Sequence, residues 1–177
     1  TMCTVTELMQ DSEFKVFQSV AKNGGHIKSL RIENGESRLS RKIIDTLAEE
    51  IKPMGAQGLA WMHVKSANEV QSPIGKFFTE SQIKDLIAKN NAQPGDSLLF
   101  VAHESLSTVN TALHHIRSSS AEKDGIIPKG NALLWITEFP MFEADDNGNP
   151  TPLHHPFTAP HPDDIHKLSS DPLNVRS

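Results

Sequence analysis

The densest chemistry in this 177-residue chain lies in Leu153-His154-His155-Pro156-Phe157-Thr158-Ala159-Pro160. Imidazole is the side chain whose ordinary pKa puts its charge change near neutral pH, and it can donate to a carboxylate or a phosphate. Proline fixes φ and biases the residue before it toward extended backbone, so the His pair is expected on a stiff segment rather than a helix. A binding site for a small charged ligand needs that stiffness. A second reading of the octet is a proline-rich connector with incidental histidines. Neighbours in an extended segment point to opposite faces, and on the octet alone this favours the connector.

Other candidates carry blander readings. No cysteine or acid stands at zinc spacing around His154 and His155, and HExxH is absent, so no metal site is expected. Asp145-Asp146-Asn147-Gly148-Asn149 offers oxygens but lacks EF-hand spacing, and reads as a hairpin turn with Asn147-Gly148 suited to positive φ. His114 and His115 fall within a helical stripe as surface or interface residues. His63, in an apolar run, reads as a hydrogen-bonded structural histidine. Lys76 reads as a snorkelling lysine. Cys3 has no assembled Cys-His partner. Neither a Walker A loop nor GxGxxG is present. Lys22, Lys28, Arg31, Arg38, Arg41 and Lys42 could brush an RNA backbone, and a solvated face is the alternative.

The elements that must position these groups follow from periodicity. Phe14-Lys15-Val16-Phe17 alternates and predicts a short strand, and His26–Ile32 predicts a second. Ser40 caps a helix with Ile43, Ile44, Leu47, Ala48 and Ile51 on one face. Residues 58–65 form a buried strand. Thr79-Glu80-Ser81-Gln82 is a capping box, with Phe78 and Ile83 at staple positions, and opens a helix buried through Ile83, Leu86 and Ile87. Ser97–Ala102 is a strand, and Val109, Ala112, Leu113 and Ile116 trace a third helix. Ser118 to Gly125 is polar and reads as a boundary. Residues 13–125 are therefore expected to be an α+β module, a mixed sheet with helices packed on one side in two layers. Beyond it, Ala132–Thr137 predicts an apolar strand, and Pro162-Asp163-Asp164 opens a short helix with acids at its positive end.

Composition narrows the class. One cysteine excludes a disulfide framework and fits a reducing compartment. No run approaches the ~18 apolar residues of a membrane span. A net charge of −5 disfavours wholesale adhesion to nucleic acid. The first and last residues read as cut ends of something longer.

Trp135-Ile136-Thr137-Glu138-Phe139-Pro140-Met141-Phe142-Glu143, followed after a turn by the HHPFTAP stretch, resembles bacterial-type aspartyl-tRNA synthetase of class II. Asp11 to Phe17, Leu39-Ser40-Arg41-Lys42, Gly55-Ala56-Gln57-Gly58-Leu59-Ala60 and Ser72 to Phe77 resemble that family's insertion, or GAD, domain. The resemblance implies three parts: a lead-in from the catalytic domain over 1–12, the insertion domain over 13–125, and a strand-hairpin return into the antiparallel catalytic sheet over 126–177. It implies an aspartate–tRNA ligase that uses ATP and Mg2+ to make aspartyl-adenylate and passes aspartate to the 3′ adenosine of tRNA(Asp). It implies a cytoplasmic homodimer with no membrane attachment. His154 then contacts bound L-aspartate, and His155 faces the ATP side or supports the loop. The family's anticodon-binding domain, motif 2 arginine, glycine-rich strand and motif 3 arginine do not appear, so none of these residues is expected to be catalytic, and this piece alone is expected to be inactive. Two other readings are a tRNA-facing accessory module like that of a tRNA-dependent amidotransferase, and a protein-interaction domain.

Overall fold

A computed structural model describes residues 2–127, 129–145, 147–155 and 157–177. The chain forms two compact units, Thr1–Ile127 and Pro128–Ser177.

In the first unit, β1 (Met2–Thr4) leads through α1 (Thr6–Met9) and α2 (Lys15–Lys22) to β2 (His26–Ile32). Then come α3 (Gly35–Arg38), α4 (Arg41–Ile51), β3 (Ala60–Val64), β4 (Val70–Gln71), α5 (Glu80–Lys89), β5 (Ser97–His103) and α6 (Leu106–Lys123). The five strands lie in the order β1-β2-β5-β3-β4. Each neighbouring pair runs antiparallel. The α+β class is therefore observed, but the sheet is antiparallel rather than mixed. Nor are the helices on one side. Side chains alternate across a strand: Leu98 and Phe100 of β5 join a core with Phe17, Leu86 and Ile87, while Leu99 and Val101 join a separate core with Ile44, Leu47, Leu113 and Ile116. α1, α2 and α5 thus cover one face and α4 and α6 the other. The physical cause is β5 itself, apolar on both faces and needing a layer on each.

Local capping rules account for the helix starts. Ser40 accepts a hydrogen bond from the Ile43 amide. Thr79 and Gln82 cap each other reciprocally. Phe14 to Phe17 is not a strand. Phe14, Phe17 and Val20 share a helical face, Phe17 is buried, and Val16, which a strand would pair, is exposed. Ser118 to Lys123 continue α6 rather than forming a loop. Residues 2–12 supply β1 and α1, and Val5 and Met9 enter the first core.

The second unit holds β6 (Phe142–Ala144) and β7 (Pro150–Pro152), paired as a hairpin, and 3₁₀ turns at Pro162–Leu168 and Pro172–Asn174. Gly148 has φ +82, the left-handed turn position its sequence suggests. Asp146 lies outside the described residues. The strand expected at Ala132–Thr137 does not form. A strand requires a partner for its backbone and a layer for its apolar face; among the described residues this run has neither, and Leu133 and Trp135 are 97% and 94% exposed.

These burials set a contrast in stability. Leu113→Ala should cost about 2–5 kcal/mol, whereas Leu133→Ala should stay within about 0.5 kcal/mol. Urea unfolding followed by far-UV circular dichroism reads both.

Candidate functional site

The second unit is organised around one carboxylate. Asp164, 1% exposed, receives the Arg176 Nε at 2.6 Å and backbone amide at 3.1 Å on Oδ2, and the Arg176 terminal nitrogen at 3.2 Å and Lys167 Nζ at 2.7 Å on Oδ1. The Arg176 side-chain hydrogen bonds, then the Lys167 ammonium, hold the Asp164 carboxyl far below the usual carboxylate range. The same partner raises the Arg176 guanidinium. Arg176 also donates to Glu138 at 3.0 Å, and Glu138 holds a left-handed φ of +55.

This clamp fixes the backbone from which the histidine segment hangs. Pro140 bridges to Arg176. The Ser177 amide donates to the Phe139 carbonyl at 2.8 Å, Met141 to Val175 at 2.8 Å, and Leu153 to Met141 at 3.1 Å. Segment 139–141 therefore carries the C-terminal residues on one side and the entry to His154 on the other.

The two histidines diverge, as neighbours on extended backbone should. The His154 ring meets Phe139 edge-on at 4.7 Å. Its Nε2 is buried and has no hydrogen-bond partner among the described residues. A buried polar atom left unpaired is costly and calls for an explanation. His155 is exposed, accepts the Phe157 amide on Nδ1 at 3.4 Å, and packs its ring on Phe157 at 4.7 Å. That tautomer puts the neutral ring's proton on Nε2. Pro156, expected to brace the pair, lies outside the described residues. A cavity of about 480 Å³ lies beside the clamp, between Glu138, Pro140, Lys167, Asp171 and Arg176, and neither histidine lines it.

The remaining candidates fall in the first unit. His115 bonds Glu50 at 3.0 Å, joining α6 to α4, and this bond is the main cause that lowers the Glu50 pKa. His114 accepts from Arg117 at 3.0 Å. His63 bonds Ser97 at 2.6 Å in the buried sheet. Lys76 lies 5.1 Å from the Phe77 ring centroid, a cation–π contact. Among the described residues, no group of three or more His, Cys, Asp or Glu side chains could hold a metal ion, and no helix is long and apolar enough to cross a membrane. The residues that pattern reading missed are Asp164, seen only as a helix-opening acid, and Arg176 and Glu138. Their partnership spans 12 and 38 positions and leaves no local signal.

The GAD domain model matches residues 17–113. Over 175 residues the chain is 41% identical to an aspartate–tRNA(Asp/Asn) ligase of Natranaerobius thermophilus, an alignment covering 98% of this chain and 29% of that protein. It is 39% identical to the aspartate–tRNA ligase of Halalkalibacterium halodurans, again over 98% of this chain and 29% of that protein. The aspartate–tRNA ligase of Enterococcus faecalis is 39% identical over 97% of this chain and 29% of its own length. The chain therefore spans less than a third of the curated relatives it matches.

A depressed carboxylate pKa stabilises a fold above its unfolded value and withdraws that stability as pH falls through the folded one. Amide protection at Met141 and Ser177 should therefore persist at neutral pH and weaken only below about pH 4, where an unfolded aspartate takes up its proton. In Asp164→Asn the protection should already be lost at pH 7. Hydrogen exchange followed by NMR measures both.

Proposed function

This chain belongs to the GAD domain family, and from that premise we propose that it is the insertion domain and an adjoining catalytic segment of an aspartate–tRNA ligase. In this reading the whole enzyme activates L-aspartate with ATP and transfers it to the 3′ end of tRNA(Asp). The observation that carries it is the 39–41% identity to such ligases along 97–98% of the chain, the histidine segment included. The same reach counts against an amidotransferase accessory module, which has no use for an amino-acid loop. The relatives' names include both Asp and Asp/Asn specificities, so charging of tRNA(Asn) is a question for the whole enzyme.

We assign His154 to the aspartate pocket. Its support is physical. The ring is oriented by Phe139, and its Nε2 lacks a partner among the described residues. An aspartate carboxylate would satisfy that nitrogen with a charge-assisted hydrogen bond. His155, with Nε2 directed away from its backbone-bonded Nδ1, is proposed to face the ATP side or to support the loop. The step is an attack of the aspartate carboxylate on the ATP α-phosphate, so orientation is the main contribution this segment makes. Among the described residues, no group of three or more His, Cys, Asp or Glu side chains is placed to hold Mg2+. The break between the two units at Ile127 and Pro128 supports a domain boundary near 125. Homodimerisation and a cytoplasmic location belong to the same reading.

Full-length ligase carrying this segment should charge tRNA(Asp), and the 177-residue chain alone should not. His154→Ala in the full enzyme should lower kcat/KM for aspartate roughly ten- to a hundredfold, the value of a hydrogen bond to a charged group, with KM for tRNA unchanged. Aminoacylation kinetics at varied aspartate decide it, and an unaltered kcat/KM removes His154 from the pocket.

A further inference from the structure

A second cleft, in the first unit, goes beyond that reading. It has a volume of about 490 Å³ and is bounded by Glu36, Ser40, Arg41, Trp61, His63, Gln71 and Pro73. Its inner wall is β3 and β4. His63 stands directly opposite Gln71 across the strand pair, and the Trp61 ring packs against the His63 ring at 4.5 Å.

His63 is 7% exposed, and Ser97 behind it is fully buried. The Ser97 hydroxyl has His63 Nδ1, at 2.6 Å, as its only acceptor among the described residues. The hydroxyl therefore donates to Nδ1, and the neutral ring carries its proton on Nε2. Burial pushes the His63 pKa down, and Lys65 adds to this against the opposing pull of Glu36, so the ring stays neutral at pH 7. Nε2–H has no partner among the described residues, while the ring lines the cleft. Beside this donor, the Gln71 side chain offers both a donor and an acceptor. Trp61 and Pro73 supply flat apolar surface.

The outer wall has the opposite character. It is the N-terminus of the 11-residue helix α4, which has no acid in its first turn and begins Arg41-Lys42. Arg41 touches Asp45 only at 4.0 Å, with both side chains largely exposed, and Lys42 makes no ion pair among the described residues. Glu36 faces the cleft but is already paired with Lys65. A neutral donor on a largely buried ring and an aromatic surface on one wall, with a cationic helix start on the other, match the two ends of a nucleotide.

We propose that this cleft binds one nucleotide unit, its base against Trp61 with its edge read by His63 Nε2–H and Gln71, and its phosphate at the start of α4 with Arg41. A free mononucleotide and an unpaired residue in an RNA strand offer the same chemistry.

Trp61 fluorescence, isolated by Trp135→Phe in the intact chain, reports the site directly. AMP, a ten-residue unstructured oligoriboadenylate and inorganic phosphate are titrated separately. Saturable quenching is expected with AMP or the oligonucleotide. Similar affinity per site for both assigns a free nucleotide, and preference for the oligonucleotide assigns a strand. Arg41→Gln should weaken binding roughly tenfold and reduce its salt dependence by about one ion. Gln71→Ala should weaken it severalfold, and Lys123→Gln, on α6, should leave it unchanged. Arg41 and Gln71 are exposed, so both variants should keep the parental circular dichroism. The assignment is overturned by absence of quenching below about 1 mM for both nucleotide ligands, by equal competition from phosphate alone, or by full affinity in the Arg41 and Gln71 variants. None of these outcomes depends on aminoacylation, so the two proposals fail separately.

Discussion

The described part of the second unit has one buried apolar side chain, Val175. Its order therefore rests on the Asp164–Arg176 pair rather than on a hydrophobic interior. A buried charge is costly unless it is paired and its remaining valences are filled. Asp164 meets both conditions, with four donors from Arg176 and Lys167 on its two oxygens. Because one of those donors is the Arg176 backbone amide, the ion pair also sets the register of the C-terminal residues against 139–141. Phe139 is in that stretch, and Phe139 orients His154. The chain of dependence runs from a buried carboxylate, through backbone register, to the direction of an imidazole.

The first unit solves its problem in the ordinary way, by burying apolar surface on both faces of a central strand. β5 lies between β2 and β3, and Leu98 through Val101 are all buried, alternating between two cores. This architecture brings the chain very close to itself at Gly35. A Cβ on Gly35 would lie 2.5 Å from Ser97 Oγ, so α3 can pack over the end of β5 only with glycine there. The same Ser97 hydroxyl fixes the His63 tautomer. The requirement at Gly35 and the chemistry of the cleft thus share one atom.

Sequence legibility followed the range of the interaction. The caps at Ser40 and Thr79 and the buried faces of α4, α5 and α6, apart from Ile43, which is exposed on α4, were readable because their rules act within three or four residues. Phe14 to Phe17 misled because four residues satisfy a period of two and a helical i, i+3 pair equally well, and tertiary packing chose the helix. The one-sided, mixed sheet was wrong because amphipathic helices reveal that each has a buried face, not which side of the sheet receives it. Trp135 and its neighbours carry strand-like apolarity, yet propensity cannot supply a pairing partner. For the candidate site, the histidine segment was visible as composition, and the divergence of His154 and His155 followed from strand geometry. The clamp that holds them was not visible, since nothing in the sequence links positions 164 and 176.

Three histidines of this chain repeat one device. His103, His155 and His161 each accept, on Nδ1, the backbone amide two residues later, at 2.9, 3.4 and 3.3 Å. His63 reaches the same end through a serine hydroxyl. In every case the backbone or a neighbour occupies Nδ1, and the neutral ring is left with a donor at Nε2. Such a ring can turn only by breaking that bond, so its free donor has a defined direction before any ligand arrives. Pre-set direction lowers the ordering cost of binding. His154 differs: Phe139 constrains its ring by edge contact, with no hydrogen bond to Nδ1 among the described residues, and the unsatisfied nitrogen is the buried one. Edge contact restrains the plane of a ring without choosing its tautomer. In the pocket proposed above, the ligand rather than the protein would therefore choose which His154 nitrogen donates.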